Sequence, residues 1–159
     1  MNTGPSGPTH VGPAGKPALP GRVLGVDLGS RRIGLALSDP GGRIASPYGV
    51  LQRAKQQVDD HRAIVDVARE NEAVLIVVGL PISLSGDLGP AARATLEEVD
   101  AMQKVAGADL AIETYDERLT TITAERSLNE ARMSREERRK VVDKVAAAVM
   151  LQSWLESKR

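Results

Sequence analysis

Acidic residues at three places in the chain could do chemistry: Asp27, the adjacent pair Asp116 and Glu117, and Asp143. Asp27 stands in the apolar run Arg22-Val-Leu-Gly-Val-Asp27-Leu28, which turns through Gly29-Ser30 into a second run, Arg32-Ile33-Gly34-Leu-Ala-Leu-Ser-Asp39. A lone carboxylate in such a strand is costly to bury unpaired, and a metal ion is a common partner. The alternative is a hydrogen bond to the turn at Gly29-Ser30, as Asp side chains commonly make. Asp143 has Ala146 and Ala147 at i+3 and i+4, so small side chains line its face and leave room for an ion and a phosphate. Its alternative role, stabilising a helix N-terminus through the macrodipole, weakens if that helix begins at Ser134. Glu117 and Asp116 close a strand, where open α/β sheets place their ligands. Spacing alone leaves open which of the two points inward.

These residues need elements to hold them. The chain has 159 residues, enough for a single domain with a proper core over 22–159. Residues 1–21 are dominated by Gly, Pro, Ser and Thr and read as a disordered tail, without the apolar stretch of a signal peptide. After the first two strands, Gly41-Gly42 marks a turn, and Arg43 to Leu51 reads as a shorter strand interrupted at Pro47, which places it at an edge. From Gln56 to Asn71 the spacing becomes helical, with Val58, His61, Ile64, Val65 and Ala68 on one face. His61 there is either a boundary residue packing its ring or a ligand.

Val74-Leu-Ile-Val-Val-Gly79 has no polar alternation, the pattern of a parallel strand covered on both sides. A loop rich in Ser and Gly leads to Pro90, suited to the first turn of a helix. That helix presents Leu96, Val99, Met102 and Ala106 inward and Glu97, Glu98, Asp100 and Lys104 outward, and Gly107 stops it. A strand over Asp109–Tyr115 follows, then a helix from Thr120-Thr121 to about Arg132. The capping-box pattern Ser134-x-x-Glu137 opens a last helix to about Ser157, apolar on all sides from Val141 to Leu155 and therefore read as buried. The order is that of an α/β fold with an antiparallel hairpin in front and right-handed crossovers behind.

Composition removes several alternatives. Lys plus Arg equals Asp plus Glu at 21 each, so a nucleic-acid partner must be held by a local basic patch or through metal ions. The chain contains no cysteine, which excludes a thiol nucleophile and a Cys-based zinc site and suits a reducing compartment. Phe is absent, and Trp154, Tyr48 and Tyr115 are the only aromatic residues, which argues against a single-strand binder built on stacking platforms. No run reaches membrane-spanning length, so the reading is a soluble, cytoplasmic protein with no membrane partner. Residues 126–140 carry Arg132, Arg135, Arg138, Arg139 and Lys140 among three glutamates, either a nucleic-acid-facing patch or a solvated helix face.

Five motifs occur in order: Val26-Asp27-Leu28-Gly29; Arg32-Ile33-Gly34-Leu35-Ala36; Val78-Gly79-Leu80-Pro81 with Gly86; Asp116-Glu117-Arg118-Leu119-Thr120-Thr121; and Asp143-Lys-Val-Ala146-Ala147 with Leu151-Gln152. Together they resemble the YqgF family, also called RuvX-like, over residues 22–157. Its members are described as Holliday-junction resolvases and as nucleases processing the 5′ end of pre-16S ribosomal RNA. The resemblance implies a ribonuclease H-like fold: a five-stranded mixed sheet, its first three strands antiparallel, with helices on both faces. It implies that Asp27, Glu117 and Asp143 converge as catalytic residues and metal ligands, and Asp116 does not match the catalytic position. The related RuvC resolvases carry a further acidic residue one turn after the last Asp, where this chain has Ala146.

Phosphodiester hydrolysis in such a site uses two divalent ions about 4 Å apart, and all-oxygen ligands suit Mg²⁺ or Mn²⁺. Asp27 is expected to bridge the ions, with Glu117 and Asp143 completing one site each. Arg32 and Arg118 flank the acids and are either phosphate contacts on the nucleic acid or surface salt-bridge partners. Junction resolution needs two symmetric cuts and hence a homodimer. Two rival readings start from the same stretch. Asp-x-Gly-Ser also resembles the phosphate-binding hairpin of actin-like ATPases and sugar kinases, which need a second large domain. A catalytically silent nucleic-acid-binding module would keep the fold and use the acids only for structure.

Overall fold

The computed structural model describes residues 21–119 and 135–158. The Gly/Pro-rich tail up to residue 20, the helix expected over Thr120–Arg132, its neighbour Ser134 and the first part of the basic segment, 126–134, lie outside the described residues. In chain order the elements are β1 Arg22–Leu28, β2 Arg32–Ser38, β3 Ala45–Gln52, α1 Gln57–Glu70, β4 Ala73–Leu80, α2 Pro90–Ala106, β5 Ala111–Asp116 and α3 Arg135–Ser157. A short 3₁₀ turn, Glu117–Leu119, follows β5 directly.

The five strands form one mixed sheet in the order β3-β2-β1-β4-β5. β1, β2 and β3 pair antiparallel, whereas β1–β4 and β4–β5 pair parallel, as expected for the ribonuclease H-like arrangement. β3 lies at an edge, and its register shifts opposite Leu35/Ala36, where Pro47 stands. A proline has no N–H to give the ladder, so an edge strand with an irregularity is where it fits.

Alternation along the strands divides the core in two. Leu24, Val26, Ile33, Leu35, Ile76 and Val78 face α1 and α2, packing on Ile64, Val65, Val99 and Met102. On the other face Val23, Ala36 and Val77 meet Ala147, Met150, Leu151, Trp154 and Leu155 of α3. Helices therefore cover both faces. Small residues let α3 approach closely: a Cβ on Gly25 would stand 2.8 Å from Leu151 Cβ, and one on Gly34 would strike the backbone carbonyl of Asp143. Among the described residues no helix is long and apolar enough to cross a membrane.

Three sequence expectations change. Val58 is 40% exposed, because α1 instead buries Asp60 beside His61. Glu98, expected on the outer side of α2, is buried at 6% exposure, where Arg53 and His61 supply partners for its carboxylate. The last helix is not buried all round: Val141, Val142, Val145 and Val149 are half-buried, since the sheet covers only one side of it.

Candidate active site

The β1–β2 register sets Asp27 opposite Gly34, and the β1–β4 ladder, in which Val26 pairs Val78, sets Gly79 beside Asp27 on the other side. Asp27, Gly34 and Gly79 thus share one row on the α3 face of the sheet, flanking an acid with two residues that have no side chain. Each glycine admits a different neighbour. The α3 backbone at Asp143 lies directly over Gly34, and the Glu117 carboxyl group occupies the space over Gly79. Glycine in a strand interior commonly marks such a close approach.

The row brings three acids to one end of the sheet. The carboxyl groups of Asp27 and Glu117 share a hydrogen bond. Burial, then the charge of Asp27, pushes the pKa of Glu117 up to about 8. Asp27 is raised as well, chiefly by burial, with a smaller contribution from the Asp143 charge, while the bond to Glu117 works in the opposite direction. Two carboxyls this close cannot both ionise cheaply, so near neutral pH they hold a proton between them. Asp116, the last residue of β5, turns away: its carboxylate takes Arg118 Nη2 at 2.6 Å and Nε at 2.7 Å. Geometry therefore distinguishes the pair that spacing left open, with Glu117 facing Asp27.

Asp143 Oδ2 accepts from Arg32 Nε at 2.6 Å, both side chains being about four-fifths buried. Arg32 therefore neutralises one acid of the group, and Arg118 makes an exposed surface pair with Asp116. Among the described residues no three His, Asp or Glu side chains stand close enough to hold one ion together. Asp27 and Glu117 form a pair, and Asp143 lies beside it on its arginine. The donor set nevertheless suits a hard divalent cation. It is all oxygen, it is half-buried, and the mutual repulsion that holds a proton on the pair is what a cation would relieve.

Next to this group the turn between β1 and β2 borders an open groove of about 430 Å³, lined by Gly29, Ser30, Arg31, Arg32, Arg139 and Asp143. A Cβ on Gly29 would strike the Arg32 carbonyl, so this glycine serves the tight turn itself. Arg31 is not among the residues the sequence singles out, although adjacent Arg31-Arg32 after a strand-turn is an available signal. Arg139 is one of the basic residues of segment 126–140 that the sequence offers as a nucleic-acid-facing patch.

Comparison with known proteins agrees with this architecture. Residues 21–157 match the family described as "RuvX: Holliday junction resolvase". A Roseiflexus protein (strain RS-1) named "Putative pre-16S rRNA nuclease" is 41% identical over 140 residues, spanning 88% of this chain and 97% of the relative. A Mycobacterium protein (strain KMS) of the same name is 41% identical over 139 residues, spanning 87% of this chain and 82% of the relative. Among solved structures, T. thermophilus RuvC in complex with a Holliday junction substrate superposes with a TM-score of 0.52 at 16% identity, over 86% of this chain and 94% of that one.

Proposed function

The chain belongs to the RuvX family of nucleases, hydrolases that act on ester bonds, and from that premise we propose a metal-dependent endonuclease that trims the 5′ end of pre-16S ribosomal RNA in the cytoplasm during ribosome biogenesis. The observation that carries the reading is the Asp27–Glu117 carboxyl pair at the end of the sheet, with Asp143 beside it and a glycine making room on each side. A pair pushed together at the expense of both ionisations is poorly suited to a purely structural role and well suited to a cation.

In this proposal the catalytic domain is residues 22–159. Asp27 and Glu117 would hold the metal, with Asp143 available as a further ligand if Arg32 turned from it to a substrate phosphate. Bound there, Mg²⁺ or Mn²⁺ supplies the positive charge that activates a water and neutralises the leaving oxygen. Asp27 and Glu117 must both be ionised to do this, so they give up their shared proton as the ion arrives. Arg32 would contact a phosphate from within the groove, and Arg118 would contact another from its surface pair with Asp116. Ala146 stands where the RuvC resolvases carry a further acid, so a second ion would have fewer protein ligands and would need substrate oxygens to complete its shell.

The family description and the RuvC-like fold favour one alternative, cleavage of a branched DNA junction by a homodimer. Two substrates tested on one preparation, a 5′-extended 16S precursor RNA and a four-way DNA junction, with and without Mn²⁺, separate the two readings. Metal-dependent cutting of the RNA alone supports the first, and cutting of the junction alone supports the second.

A further inference from the structure

A second cluster of charge, unused by the chemistry above, lies on the opposite side of the β1–β2 turn. Arg53 follows β3, and its Nη1 and Nη2 donate to the two carboxylate oxygens of Glu98 at 2.5 and 3.1 Å. Nη1 also reaches Asp60 Oδ2 at 3.2 Å, while Asp60 Oδ1 accepts from the Ala54 amide at 2.8 Å. His61 Nε2 completes the group, 3.1 Å from Glu98 Oε1. Asp60, His61 and Glu98 are all buried. The remaining donors of Arg53 point at the turn: Nε donates to the Gly29 carbonyl at 2.9 Å, and the backbone N–H to the Arg31 carbonyl at 2.9 Å.

A buried ion cluster of this kind is a weak stabiliser, because apolar residues of similar volume commonly serve as well or better. What an apolar residue cannot do is donate to Gly29. The guanidinium is fixed on one side by a fork of charged hydrogen bonds to α1 and α2, and that fixed group sets the carbonyl of the residue two positions after Asp27. With Gly29 C=O directed at Arg53, the trans peptide sends Ser30 N–H the opposite way, away from the cluster. The same turn carries Arg31 and Arg32 into the groove that ends at Asp143.

We propose that Arg53 is a positioning residue of the nuclease: anchored by Glu98 and Asp60, it clamps the Gly29–Arg31 turn and so fixes the groove that the turn lines together with the Arg32–Asp143 pair. The proposal rests on the nuclease reading for its consequence, and the clamp itself is measurable without substrate.

Arg53→Met alone leaves Glu98 buried with His61 as its remaining side-chain partner, so the informative variant of the full chain is Arg53→Met with Glu98→Gln. It removes the charges of the Arg53–Glu98 pair, keeps a hydrogen-bond partner for His61, and leaves Asp60 the bond from the Ala54 amide. Glu98→Gln alone retains Arg53 and its bond to Gly29 and serves as the control. In the double variant amide exchange at residues 29–32 speeds up at least tenfold while amides of β1 and β4 exchange as in wild type. Cleavage kcat falls about 10–100-fold with KM changed far less, the expected result of small misplacement in a preorganised site. The control keeps wild-type turn exchange and kcat. Unchanged exchange in the double variant overturns the clamp, and faster exchange with wild-type kcat overturns its role in cleavage. An equal loss of kcat in the control overturns the route through Gly29. If the wild-type chain cuts neither substrate, the nuclease reading falls, and turn exchange alone then judges the clamp.

Discussion

The carboxyl groups of Asp27, on β1, and Glu117, in the 3₁₀ turn that follows β5, meet in a shared hydrogen bond beside Gly79 of β4, the strand between β1 and β5. Neither partner can ionise without the other opposing it. This relationship underlies the pH dependence expected of the site and the affinity for a cation proposed for it.

Glu117 is raised from an ordinary value near 4.5 to about 8, so the folded chain keeps a proton there that the unfolded chain releases. Below pH 4.5 both states are protonated and stability is full. As pH rises toward 8 the unfolded state binds fewer protons and the metal-free protein loses stability, by on the order of 2 kcal/mol after solvent screening. A melting series from pH 5 to pH 8.5 should show this decline. Glu117→Gln should flatten it and melt higher than wild type at pH 8.

Divalent metal should reverse the decline. If Mn²⁺ or Mg²⁺ binds the ionised pair as proposed, the rise in Tm on adding metal should be larger at pH 8 than at pH 6. Equal shifts at both values would mean the ion binds elsewhere.

The two glycines should respond differently to a methyl group. In Gly34→Ala the new Cβ strikes the α3 backbone, which cannot step aside, and the expected cost is about 2–3 kcal/mol. In Gly79→Ala it meets the Glu117 side chain, which can rotate away, so stability should fall by only about 1 kcal/mol while metal affinity is lost. Urea unfolding and calorimetric Mn²⁺ titration separate the two.

Arg32 and Arg118 should also part company. Arg32→Ala frees Asp143, so Mn²⁺ should bind several-fold tighter although nucleic-acid affinity drops. Arg118→Ala should melt like wild type and reduce the salt dependence of nucleic-acid binding by about one phosphate contact.

Much of this was legible in the sequence because each element carried its own signal. Val74–Gly79 lacks polar alternation and is the central parallel strand, and Pro47 demotes β3 to an edge. Pro90 and Gly107 bracket α2 as helix start and stop. The role of Gly34 and Gly79 was not legible, because it depends on which strands become neighbours, information that sequence order β1-β2-β3-β4-β5 does not carry. Glu98 misled for the same reason. Helical spacing assigned it to solvent by its charge, and only the approach of Arg53 from a distant strand makes its burial possible. The Arg32–Asp143 pair spans 111 positions and had no local signature.

The most direct test is Asp27→Asn, assayed with Mn²⁺ or Mg²⁺ on the 5′-extended precursor RNA and on the four-way DNA junction, alongside a melting curve. Metal-dependent cleavage by wild type should fall at least about 100-fold in the variant while the fold persists. Undiminished cleavage by the folded variant would contradict the assignment of this site.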